Sequence, residues 1–333
     1  MRICIDVQAA VSQRAGVGRY TRCLTEHMAR ELPEKDRMTA FYLDFRRRGE
    51  RFSSGGFDER RIRWCPGRLM QWSWKNLGMP PFDLLAGPAD VYHFPNFVIP
   101  PLRAGRAVCS IHDLGFLRFP NFTEDKNLRY LRTRMTHTVE RADAIITISK
   151  FSASEIAHFY PDAAAKVHVT YPGVDDFINA HPPPAEAEER DPRRRLKLDR
   201  PYILTVGTVE PRKNMSLLID AFDRMNDFDG DLAIAGMPGW KNDAIFRKMK
   251  QARRADRIRY LRYVPDAELA GLYRGAELFA FPSVYEGFGF PPLEAMGCGT
   301  PVVSSSAAAM PEVIGPAADI VDSFDPDEWA HRM

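Results

Sequence analysis

The chain has 333 residues, 45% of them hydrophobic and 27% charged, with a formal net charge of +2. That length is long for one core and fits two domains of roughly 150 residues each. The composition excludes a disordered or fibrous chain, and so small a net charge gives no reason to expect nucleic acid as a partner.

Five cysteines, Cys4, Cys23, Cys65, Cys109 and Cys298, stand singly with no C-x-x-C pair. An odd, scattered set suits a reducing compartment. The opening residues, MRICIDV, read as a strand rather than a secretory signal, and no run approaches the roughly 20 apolar residues of a membrane span. The expected location is the cytoplasm.

In chain order, the first half alternates strands and helices. RICIDV is followed by a glycine-bearing loop, SQRAGVGRY, and then by a helix with Tyr20, Leu24, Met28 and Leu32 along one side. Further strands are expected at TAFYLDF, DVYHF, AVCSIHD, AIITIS and VHVTYP, and a helix over KNLRYLRTRMTHTVERA. Residues 179–200 carry prolines and alternating charge blocks and predict a linker or exposed excursion. A second series follows: YILTVG, a helix with Leu218, Ala221, Phe222 and Met225 on one face, LAIAG, a helix, IRYLRY, the helix DAELAGLYRGA, LFAFPS, a helix opened by Pro291-Pro292, and PVVSS.

Strands written as continuous apolar runs between helices predict parallel sheets covered on both faces. The expected architecture is α/β, with two doubly wound Rossmann-like domains facing across a cleft: residues 1–178, then 179–200 as connector, then 201–333. Ligands of such sheets bind at the carboxyl ends of the strands.

The segment SVYEGFGFPPLEAMGCGTPVV, residues 283–303, falls at such an end. Glycines there let the backbone approach a ligand, and Pro292 suits a first helical turn. The expected helix start offers amides to a hydroxyl or phosphate oxygen, with Glu294 in its first turn and Glu286 before the turn. Donors for anionic oxygens beside acceptors for hydroxyls suit a nucleotide sugar. Two glutamates alone would be read as a capped helix start; the flanking residues decide.

Taken whole, the segment resembles the E-x7-E signature of retaining glycosyltransferases of the GT-B fold, glycosyltransferase family 4 (group 1 glycosyl transferases, mannosyltransferase-like), with Glu286 and Glu294 at its glutamate positions. VGTVEPRKN resembles that family's phosphate-binding loop, QRAGVGRYTRCL its N-terminal glycine loop, SIHDLGFLRFP its His-Asp segment and YPGVD its interdomain crossing. The resemblance implies that Glu286 contacts the transferred sugar with the amides of Phe288, Gly289 and Phe290, and that Glu294 binds the ribose. It implies that Arg212 and Lys213 neutralise the donor diphosphate and that His112 lies near the sugar. Asp113 is read as orienting its loop and His93 as an edge residue of the cleft. Gly16, Gly18 and Gly207 would let loops close on the donor. Many relatives carry arginine after this last glycine, where Thr208 stands here, which leaves the diphosphate to Arg212 and Lys213.

The resemblance further implies a transferase that retains anomeric configuration, in polysaccharide biosynthesis. Two basic side chains plus helix-start amides can meet the leaving phosphate without a metal, so metal independence and no cofactor are expected. A metal site would need clustered carboxylates; DFDGD, residues 227–231, is the one candidate and reads as a solvated turn. The donor would be a nucleotide diphosphate sugar, GDP-mannose by analogy, and the acceptor a glycan or lipid-linked saccharide. Front-face attack and a covalent intermediate on Glu286 both stay open. So do two other classes, a nucleotide-sugar epimerase and a silent nucleotide-sugar-binding module. Residues 46–75 mix Arg46, Arg47, Arg48, Arg51, Arg60, Arg61, Arg63, Arg68 and Lys75 with Trp64, Trp72 and Trp74. That mixture predicts either docking at the anionic inner face of a membrane or a charged face with tryptophans packed inward. Chains of the family usually continue into helices that cross back on the first domain. This one stops at DPDEWAHRM, and the crossing helices are expected to be absent.

Overall fold

A computed structural model describes residues 1–13, 16–46, 56–123, 125–182 and 192–333, with only the backbone of 125–127. Arg47, Arg48, Arg51 and the middle of the 179–200 segment lie outside the described residues. The chain divides into two compact units. Unit one comprises 1–112, 129–148 and 152–172, and unit two comprises 113–128, 149–151 and 173–333.

Unit one is built on a seven-stranded parallel sheet: β1 (Arg2–Asp6), β2 (Arg37–Leu43), β3 (Asp58–Ile62), β4 (Val91–Phe94), β5 (Arg106–Ser110), β6 (Ala144–Thr147) and β7 (Val167–Val169). Its order is β3-β2-β1-β4-β5-β6-β7. Helices α1 (Gln8–Ser12), α2 (Val17–Glu31), α3 (Gly67–Asn76) and the greater part of α4 (Asp125–Arg141) belong to it. Ile3, Ile5 and Val7 pack with Met38, Ala40 and Tyr42 in one layer of its core.

Two expectations change here. The fully buried residues of α2 are Gly18, Thr21 and Thr25, while Tyr20, Leu24 and Met28 are half-buried and Leu32 lies past the helix end. Threonine can be buried because each hydroxyl is satisfied within the helix: Thr21 donates to the Val17 carbonyl at 2.8 Å and Thr25 to the Thr21 carbonyl at 2.7 Å. Strand β3, DERRI, was not expected at all. It is an edge strand, where charged side chains reach solvent and discourage further pairing.

Unit two carries a six-stranded parallel sheet: β8 (Tyr202–Val206), β9 (Asp231–Ala235), β10 (Ile258–Arg262), β11 (Leu278–Phe281), β12 (Val302–Ser305) and β13 (Asp319–Val321), in the order β10-β9-β8-β11-β12-β13. Helices α5 (Met215–Arg224), α6 (Asp266–Gly275), α7 (Phe290–Gly297) and α8 (Pro326–Arg332) accompany it. The central strands β8 and β11 are apolar on both faces, as parallel strands between helices must be. Tyr202, Leu204, Phe279 and Phe281 pack to one side with α6, and Ile203, Leu232, Ile234 and Ala280 to the other with Leu218 and Phe222 of α5. Trp329 of α8 is buried beside Leu217, Ala221, Val303 and Val321.

Most of the described part of the 179–200 segment is exposed, but two positions pack inward. Pro192 is buried, and Leu198 joins the core cluster of Phe177 and Tyr273. Apolar side chains at those two positions outweigh the surrounding charge.

Both sheets reverse their order beside the first strand of the series, between β1 and β4 in unit one and between β8 and β11 in unit two. In open α/β sheets the crevice at such a reversal is where ligands bind.

Candidate active site

In unit two the reversal brings together the loops that follow β8 and β11. The first, residues 207–214, ends in a short 3-10 turn, Pro211–Lys213, that presents two cations side by side. The second, residues 282–289, runs into α7. Val284 N–H donates to the Arg212 carbonyl at 2.9 Å and splices the two loops.

The charged groups converge there. Glu286 is 7% exposed. Its Oε2 lies 2.9 Å from Arg212 Nη1 and its Oε1 2.5 Å from Lys213 Nζ. Arg212 also donates through Nε and Nη2 to Glu210 Oε1 at 3.0 and 2.8 Å, and through Nη1 to the Tyr285 carbonyl at 2.7 Å. Lys213 Nζ sits 5.1 Å from the centre of the Phe281 ring. Burial would raise the Glu286 carboxyl, but the charges of Arg212 and Lys213 outweigh it and hold the group at about 2. The two cations diverge. Burial pushes Arg212 down, but Glu286, Asp113 and Glu210 carry it above its ordinary value; Lys213 is depressed by burial, which the charge of Glu286 only partly offsets.

Glycines set the backbone. Gly289 takes φ 98° and caps α7, a left-handed conformation that L side chains rarely adopt. Gly207 and Gly236 end β8 and β9 in contact: a Cβ on Gly236 would lie 1.8 Å from the Gly207 carbonyl oxygen. No side chain fits between them. The Phe288 and Phe290 rings tilt together at 5.1 Å.

Two details of the expected helix start are corrected. Because Gly289 is the cap, α7 begins at Phe290, which puts Glu294 in its second turn rather than its first. Pro291 and Pro292 lack N–H groups, so among the first four helical positions only Phe290 and Leu293 carry one. The amide character of the site therefore rests more on the loop than on the helix end. Glu294 is 2% exposed, and its Oε2 accepts from the buried Tyr273 hydroxyl at 3.0 Å.

Arg212, Lys213, Glu286, Gly207, Phe288, Gly289, Phe290 and Glu294 thus all belong to unit two, the first four in direct contact or adjacent to it. His112, Gly16 and Gly18 belong to unit one. There His112 Nε2 lies 2.8 Å from the Pro95 carbonyl, and its ring meets Tyr20 edge-on at 4.7 Å. His93 is buried with Nε2 2.9 Å from Ser110 Oγ; burial, then the His112 charge, lowers it to about 4. Gly16 precedes α2, while Gly18 lies inside it, where a Cβ would meet the Gln13 carbonyl at 2.1 Å. Packing against the end of α1 accounts for Gly18.

Glu210, Tyr273 and Gly236 were missed. Glu210 stands two residues before Arg212, a spacing that could have signalled the pairing; nothing local marks Tyr273. In DFDGD, Asp231 is buried at the start of β9 against Arg259 at 3.0 Å, and Asp229 pairs with Arg200 and Arg257. Among the described residues no three His, Cys, Asp or Glu side chains gather as a metal-ligand set. Among the same residues no helix is long and apolar enough to cross a membrane.

Residues 14–176 match the family described as Glycosyltransferase Family 4, and residues 186–333 match Glycosyl transferases group 1. O-antigen chain mannosyltransferase B of Escherichia coli is 36% identical over 242 residues, 71% of this chain and 62% of that protein. The chain thus spans less than two thirds of that relative's length. Among solved structures, sucrose-phosphate synthase of Thermosynechococcus elongatus superposes with a TM-score of 0.75 at 19% identity, over 99% of this chain and 88% of the other. Alr3699/HepE of Anabaena, solved in complex with UDP-glucose, gives 0.65 at 17% identity over 99% and 88%. These likenesses establish the GT-B fold.

Proposed function

Since the chain belongs to the group 1, family 4 glycosyltransferases, we propose that it is a retaining hexosyltransferase. It moves a sugar, mannose foremost, from a nucleotide diphosphate donor to a glycan or lipid-linked saccharide. The observation that carries this reading is the meeting of Arg212, Lys213 and Glu286 where the order of the second sheet reverses.

Glycosyl transfer needs positive charge at the leaving phosphate and negative character near the anomeric carbon. Arg212 and Lys213 supply the first and Glu286 the second. The bond from anomeric carbon to phosphate oxygen breaks on the face where the acceptor oxygen bonds, and the acceptor proton passes to the leaving phosphate. In this reading Arg212 and Lys213 do at the leaving phosphate the work that a metal would otherwise do. Glu294, aligned by Tyr273, takes the ribose hydroxyls, and the family resemblance assigns His112 a contact with the sugar. The mannosyl preference is supported by the relative at 36% identity.

The acceptor side rests on unit one. The tryptophans divide: Trp74 packs inward, its Nε1 donating to the Pro80 carbonyl at 2.8 Å, while Trp64 and Trp72 are 66% and 54% exposed. Residues 60–82 hold five basic side chains and no acidic one. Lys75 of α3 and Arg134 of α4 lie 5.5 and 5.8 Å from the Tyr130 ring, which extends the patch across two helices. Arg61 is paired with Glu59, but exposed indoles in a stretch rich in cations still fit an anionic lipid surface, where lipid-linked acceptors are held. On this reading the protein works at the cytoplasmic face of the membrane.

Incubation with a panel of GDP- and UDP-sugars tests the reading. Nucleoside diphosphate release or transfer supports the transferase; interconversion of donors would instead make it an epimerase, and binding without turnover a sensor.

A further inference from the structure

We propose that Glu286 is the resident counter-ion of the diphosphate cradle, displaced from Arg212 and Lys213 when the donor arrives, and that Glu210 is the positioning residue that holds Arg212 through the exchange. The proposal rests on the nucleotide-sugar reading above and adds how the site is kept and opened.

The geometry gives each carboxylate a different task. Glu286 spends both oxygens on the two cations, one on each, at 2.9 and 2.5 Å. Those are the contacts a diphosphate would need. Glu210 is 3% exposed and takes the other edge of the guanidinium, Nε and Nη2. Arg212 Nη1 is also tied to the Tyr285 carbonyl. If Glu286 leaves, Arg212 stays anchored on two sides, whereas Lys213 keeps only the Phe281 ring among the partners described above.

Charge makes the exchange necessary. Glu210 and Glu286 already balance Arg212 and Lys213, so a diphosphate entering without displacement would bring surplus negative charge into a buried cluster. Uncompensated buried charge is costly. Displacement frees both cations for the diphosphate and delivers the carboxylate to the sugar at the moment the donor is seated. Ser283 offers it a landing place. Its hydroxyl is buried without a hydrogen-bond partner, yet it lies near enough to Glu286 to help keep the carboxyl ionised.

The test is calorimetric titration of the full chain with GDP and with UDP, for wild type, Glu286→Gln, Glu286→Asp and Glu210→Gln. Removing the competing charge is expected to tighten nucleoside diphosphate binding about tenfold in Glu286→Gln, with a smaller gain in Glu286→Asp, while kcat falls. A structural defect would weaken both. Glu210→Gln is expected to weaken binding about tenfold. Unchanged or weaker binding by both Glu286 variants, with wild type binding normally, overturns the exchange and leaves the donor reading intact. Unchanged binding by Glu210→Gln overturns its positioning role. If folded wild type binds neither nucleotide, the donor reading itself fails and the exchange with it.

Discussion

The Tyr273 hydroxyl donates to Glu294 Oε2 over 3.0 Å, joining α6 to α7 inside the core of unit two. A carboxylate 2% exposed has little water to fall back on, so this phenol both stabilises it and fixes its direction.

Tyr273→Phe removes that donor and keeps the ring. The expected outcome is a loss of about 1–3 kcal/mol in stability, the cost of a buried acceptor left short of a partner. The KM for the donor is expected to rise severalfold with little change in kcat. Denaturant melts and donor titrations check both; unchanged midpoint and KM would mean the phenol does not orient Glu294.

Gly236 lies outside the signature segments, yet its backbone bears on the donor loop. A methyl group there would overlap the Gly207 carbonyl, forcing the loop that carries Arg212 and Lys213 away from β9. Gly236→Ala is expected to weaken nucleoside diphosphate binding more than about tenfold while the far-UV spectrum is retained. Wild-type affinity in the variant would show that the loop tolerates the shift.

His93 makes unit one sensitive to acid. Its folded value of about 4 lies below the ordinary 6.5. Between those values the unfolded chain binds a proton that the folded chain does not, so stability falls as pH drops from 6.5 towards 4. The contribution is at most about 3 kcal/mol. Asp6, raised to about 6 by burial, acts in the opposite direction over much of that range. The effect is therefore sought in a difference: the stability gap between wild type and His93→Gln is expected to narrow on acidification from pH 7 to 4. A gap independent of pH would contradict it.

Trp64 and Trp72 are the outward-facing indoles of α3 and its entry. Replacing both with serine is expected to reduce co-sedimentation with vesicles containing anionic lipid at least about tenfold, by removing buried aromatic area at the interface. Turnover of a water-soluble acceptor should be unaffected. Wild-type binding that is indifferent to anionic lipid would remove the membrane from the account.

Much of this was legible in the amino-acid order, for physical reasons. YILTVG, LAIAG and LFAFPS are apolar on both faces because helices cover both sides of the sheet. The Glu286–Glu294 spacing is local to one loop and one helix and is carried by a continuous run of residues. What could not be read depends on partners from other elements. Tyr273 lies 21 residues from Glu294 and looks like any core aromatic. Gly236 is marked only by its contact with Gly207. Thr21 and Thr25 are buried against the hydropathy pattern because their hydroxyls are satisfied within the helix. Strand β3 hides behind charges that its edge position allows.

In the proposed reaction Lys213 and Arg212, set against Glu286, carry the charge of a departing nucleoside diphosphate. Substituting Lys213 with methionine removes the charge and keeps most of the length. Steady-state release of nucleoside diphosphate from the preferred sugar donor should then show kcat/KM lower by about a thousandfold. Turnover within a factor of about three of wild type, in a variant with an unchanged melting temperature, would contradict that role for Lys213.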